Sequence, residues 1–248
     1  MNQPLPDDWE PLLLEVDGKP AGFAINLNAA TPERMQARPH LCRVTIPLHT
    51  PTIEGLSDTE ENDELLKLQD TILNPLARKH DAQFVGRVTT DGERTLFFYV
   101  GQPDGLNESL EELLSDFRQY DWRHSIEEET DWQTYWEFLH PSPEELQIIM
   151  NLRVLRVMQE HGDDLTQPRR LDHWLYFPDA DTLDKFKASE MMAHFEIESE
   201  AEEEGALRLQ IYRHESVAPN DIHRSTIELL RAAHECGGNY DGWEAEGH

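Results

Sequence analysis

The sequence predicts an α+β protein of two domains, each a four-stranded antiparallel sheet with helices on one face. Three observations carry that reading. Apolar residues repeat with a period of about 2 in some segments and about 3.6 in others, so strands and helices are interleaved. In each half the element order reduces to strand-helix-strand-strand-helix-strand. The halves meet at His140-Pro141-Ser142-Pro143, where two prolines close one helical pattern and open another. Hairpins need short connections and parallel neighbours long crossovers, so βαββαβ folds most simply as a ferredoxin-like domain. The expected domains are residues 1–140 and 144–248. An N-terminal hairpin and further helices are added to the repeated core.

In the first half, Leu12 to Val16 and Phe23 to Leu27 flank Asp17-Gly18 and form that hairpin. Leu41 to Leu48 is a strand with Cys42, Val44 and Ile46 on one side. A helix follows, capped by Ser57 with Glu60 three residues on, carrying Leu65, Leu68, Ile72 and Leu76 inward, with Pro75 kinking its last turn. Phe84 to Thr90 and Arg94 to Val100 flank Asp91-Gly92, the strongest hairpin signal in the chain. A helix with Leu110, Leu113, Leu114 and Phe117, a strand near Trp122 to Glu127, and a closing helix with Trp132, Tyr135, Trp136 and Leu139 complete the half. These aromatics could stack on bases, but their helical spacing reads as packing.

In the second half, Ser142, Pro143 and Glu145 start a helix whose stripe is Leu146, Met150, Val154 and Val157, ending at His161-Gly162. Asp172 to Phe177 alternates as a strand, and a helix with Leu183 and Phe186 follows. Phe195 to Ala201 alternates apolar or small residues with Glu196, Glu198 and Glu200, a strand with one acidic face, and a Glu203-Glu204-Gly205 turn leads to Ala206 to Arg213. A helix with Ile222, Thr226, Leu229, Leu230 and Ala233 stops at Gly237-Gly238. Tyr240 to Ala245 is the last strand.

Charge bounds the partners. The 248 residues hold 21 Lys+Arg against 50 Asp+Glu, a net charge of −29. Both halves share it, with 11 basic against 27 acidic residues up to His140 (net −16) and 10 against 23 beyond (net −13). Such a surface repels nucleic acid and anionic membranes, so the expected partner is cationic. No run reaches the roughly 20 apolar residues of a spanning helix, and Met1 to Trp9 lacks a secretory pattern, which points to the cytoplasm. Cys42 and Cys236 are too few and too scattered for a disulfide framework or a cysteine zinc site.

Chemistry is sparse. Phosphate-cradling glycine loops, nucleophile elbows and common zinc signatures are absent, which argues against an enzyme, and no cofactor or metal is expected. His223 and His234 share a helical face but stand about 16 Å apart at roughly 1.5 Å per residue. His161, Asp163, Asp164 and His173 form the tightest set of ligand-type residues and would serve a metal-dependent enzyme. They read more simply as a helix end followed by a capped turn. The run Glu198, Glu200 and Glu202 to Glu204 is either a solvated strand face or a surface for Lys and Arg. Glu196, Glu198, Glu200, Glu202, Glu203, Glu204, Asp172 and Asp241 are therefore the candidate partner-binding residues.

The motifs of the second half, His161-Gly162-Asp163-Asp164-Leu165-Thr166, Pro168-Arg169, Asp172-His173-Trp174-Leu175-Tyr176-Phe177-Pro178, Ile222-His223 and Gly237-Gly238-Asn239-Tyr240-Asp241-Gly242-Trp243-Glu244, resemble the regulator of ribonuclease E activity B family. The resemblance spans about Glu144 to Glu246. The first half, through Gly18-Lys19-Pro20, Arg38-Pro39-His40-Leu41, Val85-Gly86-Arg87-Val88-Thr89-Thr90 and Asp131-Trp132-Gln133-Thr134-Tyr135, resembles the uncharacterised domain of unknown function number 695 family. The regulator family implies a small acidic ferredoxin-like protein, without catalysis or cofactor, that binds ribonuclease E through its arginine-rich non-catalytic region and restrains RNA cleavage. An acidic two-domain binding or assembly module with a different basic partner is the competing reading.

Overall fold

The computed structural model describes residues 6–203 and 205–245. The chain divides into two compact units, Met1–His140 and Pro141–His248. It is an α+β protein with two antiparallel sheets, of six and four strands. Among the described residues no helix is long and apolar enough to cross a membrane. The start of the Met1 to Trp9 tract lies outside the described residues.

The first unit opens with strands β1 (Trp9–Val16) and β2 (Lys19–Asn26), joined through Asp17 and Gly18, both at positive φ. A short helix α1 (Pro32–Ala37), capped by Thr31, precedes β3 (His40–Pro47) and α2 (Thr59–His80). Then come β4 (Ala82–Thr90), β5 (Glu93–Val100), α3 (Leu106–Leu113) and β6 (Arg123–Glu128). The sheet order is β1-β2-β4-β5-β3-β6, so the hairpin widens the sheet at one edge. The α2 cap is Asp58, which accepts from Glu61 N at 2.8 Å, rather than Ser57. Ser57 instead accepts from Arg94 at 3.1 Å, while the Glu61 carboxylate is turned back to His49 N. The helix runs through Pro75 to His80 and ends at Asp81, which is left-handed.

This sheet is covered on both sides, a correction to helices on one face. Leu65, Leu68, Ile72 and Leu76 of α2 and Leu106 and Leu110 of α3 pack on Cys42, Val44, Leu96 and Phe98. On the reverse, Phe23, Ile25, Leu41, Phe97 and Tyr99 bury Trp132, Tyr135 and Leu139. Trp132 lies flat on Tyr99, centroids 3.9 Å apart, and Trp136 is exposed. The closing helix is a single π-helical turn, Tyr135–Leu139, closed by His140 N donating to Tyr135 O at 2.7 Å.

The second unit runs α4 (Pro143–Glu160), β7 (Arg169–Phe177), α5 (Ala180–Lys187), β8 (Glu196–Glu203), β9 (Ala206–Glu215), α6 (Pro219–Glu235) and β10 (Asn239–Ala245). The order is β10-β7-β9-β8, every neighbour antiparallel. Leu175, Phe177, Leu209 and Ile211 pack against Phe186, Leu229 and Ala233. Gly238 is required at the return into β10, since a Cβ there would stand 2.4 Å from the Phe177 ring.

Helix α4 has the Ser142–Glu145 capping box, but its faces are reversed from the sequence reading. Met150, Val154 and Val157 are exposed, and Ile149, Asn151 and Leu155 are buried. Asn151 sets the orientation. Its Nδ2 donates to Thr226 Oγ1 at 2.8 Å and to His223 Nδ1 at 3.1 Å. Its Oδ1 accepts from Trp243 Nε1 at 2.8 Å and Gln147 Nε2 at 2.9 Å. With its four hydrogen bonds made to α4, α6 and β10, the amide would be left unpaired by any other rotation of the helix, which fixes the side of α4 that faces inward.

Asn151→Ala strands the Trp243 N–H and is expected to cost on the order of 1 to 3 kcal/mol in denaturant unfolding. Val154→Ala is expected to stay within about 0.5 kcal/mol. The reverse ranking would place the stripe inside and the amide outside.

Candidate partner-binding surface

Strand β7 alternates strictly. Leu171, His173, Leu175 and Phe177 are buried on the helix side, which turns Arg170, Asp172, Trp174 and Tyr176 to the opposite face. Their antiparallel neighbours share that face: His214, Tyr212, Gln210 and Arg208 on β9, and Glu244 beside Asp172 on β10. Among the described residues, the buried side chains of α4, α5 and α6 pack with the inward residues of β7 and β9, on the side away from this face. It is a half-buried surface of aromatic and charged side chains.

At its centre sits a guanidinium. Arg170 donates from Nε and Nη2 to the two carboxylate oxygens of Asp172, each at 2.8 Å, and from Nη2 to Glu198 at 2.7 Å. Its Cζ lies 3.9 Å from the centroid of the Tyr212 ring, and the Tyr212 hydroxyl donates to Glu196 at 2.5 Å. Gln210 Nε2 donates to Asp172 at 3.0 Å. The hydrogen bonds from Arg170, and after them that from Gln210, hold Asp172 below the usual carboxylate range against its partial burial. Hydrogen bonds to Asp172 and Glu198 raise Arg170, and the bond to Glu196 raises Tyr212. A hollow of about 320 Å³ adjoins this group, lined by Arg170, Asp172, Gln210, Glu244 and Ala245.

The predicted acidic residues do not share one face. A bulge between Ile197 and Ser199 shifts the register of β8 on β9. Glu196 and Glu198 stay on the outer face, whereas Glu200 pairs across from buried Leu209 and is held by Lys187 of α5 at 2.6 Å. Glu202 and Glu203 are at the exposed end of β8, Glu203 3.3 Å from Arg208. Glu204 lies outside the described residues. Asp172 is in the centre of the face, and Asp241 is exposed where β10 bulges between Tyr240 and Gly242. Arg170, Tyr212, Gln210 and Glu244 were missed. The signal was the same alternation that marks β7 and β9 as strands, read from its outward half.

The four ligand-type residues do not converge. Asp163 forms a bidentate pair with Arg169, both oxygens at 2.7 Å and both side chains nearly inaccessible. Asp164 accepts from Thr166 N and Oγ1, at 3.1 and 2.7 Å, as a turn cap. His161 Nδ1 donates to Val157 O. His173 is buried on the helix side, its Nδ1 2.9 Å from the Tyr240 hydroxyl and its ring edge-on to Phe195. Opposite demands, a guanidinium to neutralise, a turn to cap and an imidazole to bury, keep them apart.

Residues 7–140, more than half of the chain, match the family described as "Family of unknown function (DUF695)", and the chain belongs to that family. Residues 148–245 match "Regulator of ribonuclease activity B". That name describes a regulator and implies regulation of a ribonuclease, a protein partner. No curated protein matches the chain.

His173 links this sheet to pH. Burial, reinforced by Arg213 and opposed by Asp172, pushes its imidazole down from 6.5 to about 3. The folded protein therefore keeps it neutral while the unfolded chain takes up a proton below 6.5. Stability contributed above that pH is lost as pH falls from 6.5 toward 3, by up to about 1.4 kcal/mol per pH unit. Melting followed from pH 7 to 5 is expected to fall more steeply for the natural protein than for His173→Gln. Parallel slopes would show that His173 charges freely in the fold.

Proposed function

We propose that the chain is a non-enzymatic acidic regulator that binds an endoribonuclease, ribonuclease E, through that enzyme's basic, arginine-rich non-catalytic region and lowers its cleavage of RNA. The observation that carries this reading is the Arg170 site on the outer sheet face. A guanidinium there is gripped by two carboxylates and stacked on Tyr212, the chemistry by which this surface would take arginines from a partner. Glu196 and Glu244 extend the acidic character around it. The match to the regulator family supplies the partner class.

Both units are read as ferredoxin-like domains. The orders β4-β5-β3-β6 and β10-β7-β9-β8 are the same pattern once the β1-β2 hairpin is set aside. We take residues 1–140 and 144–248 as independently folding domains, the second carrying the ribonuclease contact, in a cytoplasmic setting. The exposed Met150, Val154 and Val157 on α4 favour a second reading, an assembly module that binds another copy of this chain, which light scattering across concentration would detect.

With a net charge of −29, association with a synthetic arginine-rich segment of ribonuclease E should weaken at least tenfold as salt rises from about 0.05 to 0.3 M, mainly through the on-rate. Reversing Glu196, Glu198 and Glu244 to Lys should cost another tenfold with the melting midpoint nearly unchanged. Ribonuclease cleavage, assayed in parallel, should recover in the reversed protein. Equal affinities for both proteins would clear this face of any role, and absence of binding at every salt concentration would remove ribonuclease E as the partner.

A further inference from the structure

The six-stranded sheet is wider than the helices on its α2 side. Buried contacts of α2 and α3 fall on β3, β4 and β5 and stop short of the hairpin, where Trp9 and Leu13 of the edge strand β1 are 40% and 71% exposed. A Cβ on Gly22 in β2 would meet nothing within 4 Å. Between the projecting hairpin and the flank of α2 lies a groove of about 520 Å³, whose walls include Trp9, Arg34, Arg38, Gln69, Phe84 and Arg87. Three of the 21 basic residues of a strongly acidic chain meet there.

Among the described residues, two of the three have no carboxylate partner. Arg38 is satisfied by Asp81, through Nη2 to the carboxylate at 2.7 Å and Nε to the backbone oxygen at 2.9 Å. Arg34 donates from Nη1 only to the Asn28 and Ala29 carbonyls, at 2.7 and 3.4 Å. Arg87 donates from Nη1 to the buried amide of Gln69 at 3.1 Å. Burial lowers Arg87 below the usual arginine range, with Asp70 opposing the shift without an ion pair between them. A desolvated guanidinium facing a cavity is a seat for an anion. The same cavity offers a ring platform, because Trp9 stacks on Phe84 at 5.2 Å and 27° while keeping an exposed side. Asp7 on the rim, tied to Asn26 at 2.8 Å, sets a limit on how much negative charge the site accepts.

We propose that this groove binds a small anion carried on a planar ring, with the phosphate or carboxylate on Arg34 and Arg87 and the ring on Trp9. The volume lies within the usual range for small-molecule sites, about 300 to 1,000 Å³. The groove belongs wholly to the first unit, so this site is independent of the ribonuclease contact.

The test is calorimetric and tryptophan-fluorescence titration of the full chain with adenosine 5′-monophosphate and with indole-3-carboxylate, alongside adenosine and inorganic phosphate. The expected result is saturable one-to-one binding of at least one ring-bearing anion, at least tenfold tighter than adenosine or phosphate alone. Binding by the first probe identifies a phosphate site and by the second a carboxylate site. Arg87→Met should abolish it. Because Arg87 and Arg34 are both partly buried, Trp9→Leu serves as the surface variant beside Arg34→Gln, each expected to weaken binding at least fivefold while the protein still melts cooperatively. Absence of saturable binding by both ring-bearing anions, adenosine binding as tight as its monophosphate, or full affinity in Arg34→Gln and Trp9→Leu would overturn the proposal.

Discussion

A β-sheet has two faces, and how much of each is covered by helices governs the rest of this molecule. Strand alternation forces every buried residue to be matched by one on the reverse, which must either meet a second layer or face water. In the first unit a second layer exists, the segment around Trp132 and Tyr135, and β5 is apolar on both sides, Leu96, Phe98 and Val100 towards α2 and α3 and Phe97 and Tyr99 on the reverse. In the second unit the described residues supply no such layer, and Arg170, Asp172, Gln210, Tyr212 and Glu244 occupy the side away from the helices. The same shortage of helix over the β1-β2 edge opens the arginine-lined groove. Both candidate sites are thus places where a sheet extends past its helical cover.

Buried polar groups fix which way each covering element faces. Asn151 turns α4 so that its apolar stripe faces outward, and the Arg169–Asp163 pair holds the loop after α4 to the start of β7. Arg94 does comparable work in the first unit, donating to Thr89, Ser57 and Asn62 and tying β5 to the α2 entry. Its burial, with Arg87 nearby, pulls it to about 10, against Glu61 and Tyr120. Removing one partner of such a group leaves an unpaired polar atom in a dry site, so these anchors specify orientation more than they add net stability.

Much of this was legible from residues alone because local chemistry decided it. Asp91-Gly92 and Asp17-Gly18 dictate hairpins through positive φ, and Ser142 with Glu145 dictates a helix start. What escaped depends on contacts distant in sequence. The reversal of α4 is set by Thr226 and Trp243, more than 70 residues away, which no period within the helix encodes. The bulge at Glu198 adds one residue to an otherwise regular alternation and sends Glu198 and Glu200 to opposite sides, so an acidic run read as one face became two. Asp163 looked like a turn cap beside Asp164 because its partner Arg169 is distinguished only by burial. The outer face itself is half visible in the sequence: the charge of Asp172 marks it, whereas Arg170 and Tyr212 are brought beside it only by the pairing of β7 with β9.

Amide and indole chemical-shift mapping of the ¹⁵N-labelled chain, titrated with the arginine-rich segment, decides whether the outer face of the β10-β7-β9-β8 sheet seats the arginines of a protein partner, as proposed. The prediction is that shifts concentrate at Trp174, Asp172, Gln210, Tyr212 and Glu244, including the Trp174 indole N–H, and leave α5 and α6 unmoved. Shifts confined to α4, to the helix side of the sheet or to the first unit would contradict it.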